Sequence, residues 1–80
     1  VPFDRINCCV LGCRRGSRKF PNGELICGRH WRSVPRAIRR RFRDLEKIAR
    51  AAPDDRGAEI DASYAWDRCK IAAVEADAGI

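Results

Sequence analysis

Five cysteines and one histidine supply the reactive side chains of this 80-residue chain. The cysteines stand at positions 8, 9, 13, 27 and 69, and the histidine is His30. Cys9-Val10-Leu11-Gly12-Cys13 and Cys27-Gly28-Arg29-His30 together read as C-x3-C-x13-C-x2-H. Two short pairs of soft and borderline ligands are what a tetrahedral Zn²⁺ takes from a protein. Each pair keeps its two ligands near one ion, and Gly12 suits the tight turn of a knuckle. Cys8-x4-Cys13 offers the same chemistry, but the C-x3-C pair is taken first, leaving Cys8 as a packing residue or spare thiol. The expectation is one structural zinc on Cys9, Cys13, Cys27 and His30. Cys69 lies far along the chain and reads as a buried structural thiol.

Other uses of these residues fit less well. An odd cysteine count, the vicinal Cys8-Cys9 and the lack of a secretory-type apolar segment oppose a disulfide scaffold. A His-metal nuclease needs histidines beyond its ligands, and here the single histidine is already taken. The H-x-E and P-C-x-x-C signature of zinc deaminases is missing. Four protein ligands close a zinc site, whereas catalysis keeps one position open. Gly12, Gly16, Gly23 and Gly28 do not form a phosphate-cradling loop. Cys27 and His30 could make a nucleophile pair, but two further cysteines make metal the simpler account. The chain is therefore expected not to be an enzyme.

The ligands need a scaffold, and composition says how lean it is. A chain this short buries only about 60 % of the surface its unfolded form exposes. Only six aromatics are present, so a metal staple would supplement the core. No apolar run is long enough to span a membrane. Seventeen Lys and Arg against eleven Asp and Glu give a net charge of +6, unevenly spread. Residues 1–50 hold 14 basic and 4 acidic side chains, while residues 51–80 hold 3 and 7. The sign changes at Ala51-Ala52-Pro53-Asp54-Asp55-Arg56-Gly57, a turn by composition.

One domain with four segments follows. These are a zinc-binding head (1–34), a basic helix (35–52), a turn (53–57) and an acidic, alanine-rich helix (58–80). Pro21-Asn22-Gly23 signals a turn, and Glu24-Leu25-Ile26 reads as a strand after it. Pro35 suits a first helical turn, and Val34 before it is biased away from helix, so the stretch around His30 is a separate short turn. Capping places the helices from about Pro35 to Ala51 and from about Asp55 to Ala78. The short connection makes them antiparallel neighbours. The fold class expected is a small zinc-stabilised α protein with a short β-hairpin, in which a treble-clef-like knuckle precedes an antiparallel helical hairpin.

Along the first helix Ile38, Phe42, Leu45 and Ala49 share a core face, with Ile48 at its margin. Arg36, Arg39, Arg40, Arg43, Lys47 and Arg50 occupy an arc of roughly 100° on the other side. Six like charges repel each other, so such a stripe suits a polyanion. The planar arginine fork matches phosphate. Arg14, Arg15 and Arg18, with Lys19, add a second cluster on the long loop between the ligand pairs. The opposing account is a solvated face balanced by the acidic helix. Trp31, next to the ligand His30, is expected to pack rather than stack on a base. On the second helix Ile60, Tyr64, Ile71 and Val74 share one face, while Trp66, Cys69 and Ala73 gather nearly opposite. One face would meet the first helix, and the other the head or a second copy, with Trp66 and its alanines suited to a homodimer.

The strings Cys9-Val10-Leu11-Gly12-Cys13 and Ile26-Cys27-Gly28-Arg29-His30-Trp31-Arg32-Ser33-Val34-Pro35-Arg36-Ala37-Ile38-Arg39-Arg40 resemble a group of small uncharacterised phage and prophage zinc-finger proteins, particularly of alphaproteobacteria. Their pattern is C-x3-C, then C-x2-HW, then VP and an arginine-rich helix. The closing segment from Trp66 to Ile80 is similar to the end of the same group. The resemblance covers most of the chain, and it implies zinc binding and the cytoplasm of a bacterial host. The function expected is nucleic-acid binding, DNA before RNA, through the arginine-rich helix. The alternative is an adaptor that uses zinc only for folding and offers its stripe to an acidic protein partner.

Overall fold

The computed structural model describes residues 3–19 and 23–79. Two short strands, β1 (Ile6–Asn7) and β2 (Gly16–Ser17), are followed by helices α1 (Gly28–Ser33), α2 (Arg36–Ala51) and α3 (Arg56–Ala78). The strands pair antiparallel, Ile6 opposite Ser17 and Asn7 opposite Gly16. They thus embrace the 8–15 loop. This hairpin differs from the expected one, because Glu24-Leu25-Ile26 forms no strand and Leu25 makes only an isolated bridge to Cys8. Gly16 is obligatory here, since a Cβ would stand 2.5 Å from the Ile6 carbonyl oxygen. Of the expected turn, Pro21 and Asn22 lie outside the described residues, and Gly23 has φ +102°.

The stretch around His30 forms a six-residue helix rather than a turn, and it ends at extended Val34. Pro35 caps α2 without joining it, because its carbonyl accepts from Ile38 and Arg39 N–H while its own ring has none to give. Helix formers such as Arg, Ala, Leu, Glu and Lys fill α2 up to Ala51. The Asp55 side chain accepts from Ala58 N–H at 3.1 Å and starts α3. Gly79, left-handed at φ +77°, stops it.

Across the helical pair Cys69 Sγ meets the Ile38 carbonyl, and Phe42 meets Trp66 at 5.2 Å between ring centroids. Residues later in α2 thus meet residues earlier in α3, so the two run in opposite directions. No residue of α2 is fully buried; Ile38, Phe42, Leu45 and Ala49 are half-covered. Trp31 joins Phe42 edge-on at 6.2 Å and Trp66 at 6.4 Å, closing an aromatic cluster between α1, α2 and α3. The core is Cys8, Val10, Ile26, Cys27, Val34, Cys69, Ala72 and Ala73, so cysteines and alanines fill places that larger side chains take in bigger domains. The Trp66–Cys69–Ala73 side of α3 therefore serves both α2 and the head. Ile60, Tyr64, Ile71 and Val74 face solvent. No described helix is long and apolar enough to cross a membrane.

Candidate metal centre

The hairpin sets the first ligand pair. Past the strand pair the chain bends at Cys9 and Val10; Cys8 and Val10 are buried, Ile6 and Cys9 are half-buried and Asn7 is exposed. Cys8 is buried at 6 % exposure beside Val10 and Ile26. The chain then turns through Gly12, φ +85°, and the Cys13 N–H closes the loop on the Val10 carbonyl at 3.0 Å. Cys27, the N-cap of α1, and His30, one turn on, complete the group.

The ligand atoms of Cys8, Cys13, Cys27 and His30 all lie within 4.8 Å of one another. His30 Nδ1 is 3.5 Å from Cys8 Sγ and 3.2 Å from Cys27 Sγ. Cys13 Sγ is 3.9 Å from Cys27 Sγ. Four ligands at roughly 2.3 Å from a central ion stand about 3.8 Å apart, so the residues fit one tetrahedral metal. Cys8 takes the place expected for Cys9. Cys9 is half-buried against the core and lines a groove with Glu24, Asp67 and Lys70.

The surroundings favour thiolate in one place above all. Burial, the largest influence on Cys27, pushes its pKa up, but the backbone N–H and imidazole of His30 and the Cys8 and Cys13 thiols together bring it down to about 6. The Cys13 thiol is drawn down first by the Arg15 backbone, yet burial and the Cys27 and Cys8 thiols leave it raised. Cys8 Sγ accepts from the Cys27 N–H at 3.3 Å, which ties the two ligand pairs together. On His30, burial acts downward, while Asp77, then Cys27 and Cys8, act upward and leave the imidazole raised. Its Nε2 stands 3.1 Å from Asp77 Oδ1 in the last turn of α3. A ligating histidine whose other nitrogen donates to a carboxylate is held in one tautomer and orientation. Sequence reading missed Asp77, since nothing local marks a contact 47 positions away.

The cationic residues divide into free and engaged. Arg36, Arg40 and Lys47 are exposed. Arg43 is exposed too, but its guanidinium sits 5.6 Å over the Trp31 ring. Arg39 is half-buried, and its Nε is shut off from solvent without a hydrogen-bond partner. Arg50 pairs with Glu46 of its own helix at 3.2 Å. Arg14, Arg15 and Arg18 are exposed. Arg14 and Arg15 line one open basin with Lys19 and with Arg5, a residue that sequence reading did not single out. Strand pairing brings Arg5 there, and it donates to the Arg14 carbonyl. No protein-family model, curated protein or solved structure matches this chain.

Proposed function

We propose that the chain is a small zinc-stabilised module that binds nucleic acid through phosphate contacts. Three thiolates and an imidazole in a closed set suit Zn²⁺ better than the harder divalent ions. Cys8 and Cys13 on a knuckle, with Cys27 and His30 at a helix start, give the head a treble-clef-like plan. Bound metal supplies folding free energy there. Held by the head and by α3, α2 presents its cations outward.

The observation that carries the nucleic-acid reading is the pairing of that stripe. Among the described residues, none of Arg36, Arg39, Arg40, Arg43, Lys47 and Arg50 forms an ion pair with the acidic residues of α3. The acids of α3 that do pair, Asp67 and Asp77, turn to Lys70 and His30. Apart from Arg50, which pairs with Glu46 of its own helix, the stripe thus keeps its charge, and the basin around Arg5, Arg14, Arg15 and Lys19 adds to it. Titration of labelled duplex and single strands with zinc-loaded protein tests this. Four engaged phosphates give a log–log salt slope of about −3.6, with weak sequence selectivity because phosphates position without specifying. No binding at micromolar protein, with zinc bound and the fold intact, hands the stripe to an acidic protein partner.

A further inference from the structure

The solvent face of α3 has the pattern of a buried one. Ile60, Tyr64, Ile71 and Val74 are 48, 70, 49 and 44 % exposed. With Asp67 and Ala78 they stand at 60, 64, 67, 71, 74 and 78, alternating steps of four and three. That is the a/d spacing of a helix seam, and it lies opposite Ala65, Cys69, Ala72 and Ala73, which face the protein's own core. Both sides of one helix are therefore written for packing, and the fold uses only one.

The shape agrees. The chain is a plate of 37 × 36 × 14 Å with a radius of gyration of 13.4 Å, against about 11.6 Å for a compact chain of this length. It exposes 6259 Å², where a compact monomer of its mass exposes roughly 4,900 Å². The surplus exceeds the roughly 800 Å² per partner of a standard interface.

We propose that α3 packs antiparallel against α3 of a second copy of this chain through the stripe Ile60, Tyr64, Asp67 and Ile71. The occupant follows from self-complementarity. Placing the two-fold axis between positions 65 and 66 sets Ile60 against Ile71 of the second copy, and Tyr64 against its Asp67. The Asp67 carboxylate already receives Lys70 on Oδ1 at 3.1 Å; the tyrosine hydroxyl donates to its other oxygen. Asp61 then flanks Arg68 of the second copy, and the two-fold repeats the pair. Neither residue has an ion-pair partner among the described residues. Glu75 near Asp54 of the second copy is a like-charge approach at the solvated rim, and Arg41 of α2, which lines one groove with Asp61 and Arg68, sets a further cation beside the pair. Parallel pairing instead stacks Asp67 on Asp67 inside the seam, which two carboxylates oppose. An isologous contact of this kind closes at two copies.

Sedimentation of the zinc-loaded full chain, freed of nucleic acid, tests the pairing. The expected species has twice the 9.1 kDa chain mass at tens of micromolar, and Ile71→Asp returns it to a single chain with zinc content and helicity kept. Asp61→Arg or Arg68→Asp alone should weaken association about tenfold, and the two together should restore it, because two symmetric rim pairs are reversed and then re-formed. A single chain mass at several hundred micromolar with zinc bound overturns the proposal, as does a dimer indifferent to Ile71→Asp. Failure of the double swap to restore what the single swaps lose overturns the antiparallel register. Zinc content, read in the same samples, keeps this outcome separate from the metal reading.

Discussion

Asp77 Oδ1 lies 3.1 Å from His30 Nε2, so the last turn of α3 holds the back of the only histidine while its front, Nδ1, faces Cys8 and Cys27. The contact joins the end of the helical hairpin to the metal centre. It means that metal in the head and order at the end of α3 support each other.

Removing the Asp77 carboxylate should therefore weaken metal binding without touching a ligand. Outer carboxylates of this kind contribute about 10- to 100-fold in affinity. Asp77→Ala is expected to lose that much, and Asp77→Asn less, since its amide oxygen still accepts from Nε2–H. Competition against a chromogenic zinc chelator at neutral pH measures both. Equal affinity in Asp77→Ala and the parent chain would show the contact to be incidental.

The neighbours Cys8 and Cys9 should separate cleanly. Cys8→Ser removes a ligand and a buried core atom, so it should lose metal by more than the Asp77 variants and unfold the head, because site binding energy is folding energy. Cys9→Ser should retain the metal and shift thermal stability little. Bound zinc per chain and thermal unfolding of the two variants give the answer.

Acid should empty the centre, because metal needs thiolate and protons compete for it. Within the folded head, Cys27 and His30 contribute with opposite signs. Cys27 is held at about 6, below its ordinary 9.0, so its contribution is complete above the ordinary value and is lost as pH falls through about 6. His30 is raised above 6.5, so its contribution is complete below that value and is lost as pH climbs through the raised one. Zinc bound per chain and helicity, read in the same samples across a falling pH series, should drop together, and an unfolded head that keeps its metal in acid would break that linkage.

The aromatic cluster should carry much of the remaining stability. Phe42 sits 5.2 Å from Trp66 and 6.2 Å from Trp31, and it is half-covered. Phe42→Ala is expected to cost about 3 kcal/mol, the lower end for a large aromatic because part of the ring is already wet. Denaturant unfolding of zinc-loaded protein reads the difference, and a cost under about 1 kcal/mol would place the core elsewhere.

Local rules made α2 and α3 legible, whereas α1 was expected only as a short turn. Pro35, Asp55 and Gly79 mark ends that the backbone obeys, and the stripe of α2 follows from 3.6-residue periodicity alone. The ligand types and the second pair, Cys27 and His30, were legible from spacing. The choice of Cys8 over Cys9 was not legible, because tertiary contacts make it: Cys8 Sγ accepts from the Cys27 N–H and stands beside His30 Nδ1. The hairpin partner was missed because Gly16-Ser17 has no strand propensity and pairs only where the metal loop folds back. Asp77 and Arg5 join their clusters through tertiary contact, which no local pattern encodes. On α3 both faces were apolar, and sequence could not say which the core would take. Small side chains decided it, since Ala65, Ala72 and Ala73 let α3 approach closely, whereas Tyr64 and Ile71 would hold it off.

The cations of α2 allow the sharpest functional comparison, because the structure separates those that are free from those that are engaged. Arg36, Arg40 and Lys47 are exposed, and none forms an ion pair among the described residues. Changing all three to glutamine should remove three of the proposed phosphate contacts and nothing from the core. If each contact releases about 0.9 counterion, the log–log salt slope should flatten by about 2.7 units, with binding weakened alike on every sequence. Arg39 and Arg43 are poorer probes. Arg43→Gln also removes a guanidinium 5.6 Å above the Trp31 ring, a contact of about 0.5–1 kcal/mol at an exposed site. Arg39→Gln alters a half-buried side chain whose Nε is closed to solvent. Those two variants should therefore lower thermal stability as well as affinity, whereas the exposed triple should leave stability unchanged or raise it by relieving repulsion. Anisotropy titrations across a salt series, paired with thermal unfolding of the same zinc-loaded samples, read both quantities. An unchanged slope in the exposed triple would remove α2 from the nucleic-acid surface and leave the basin of Arg5, Arg14, Arg15 and Lys19 to carry it.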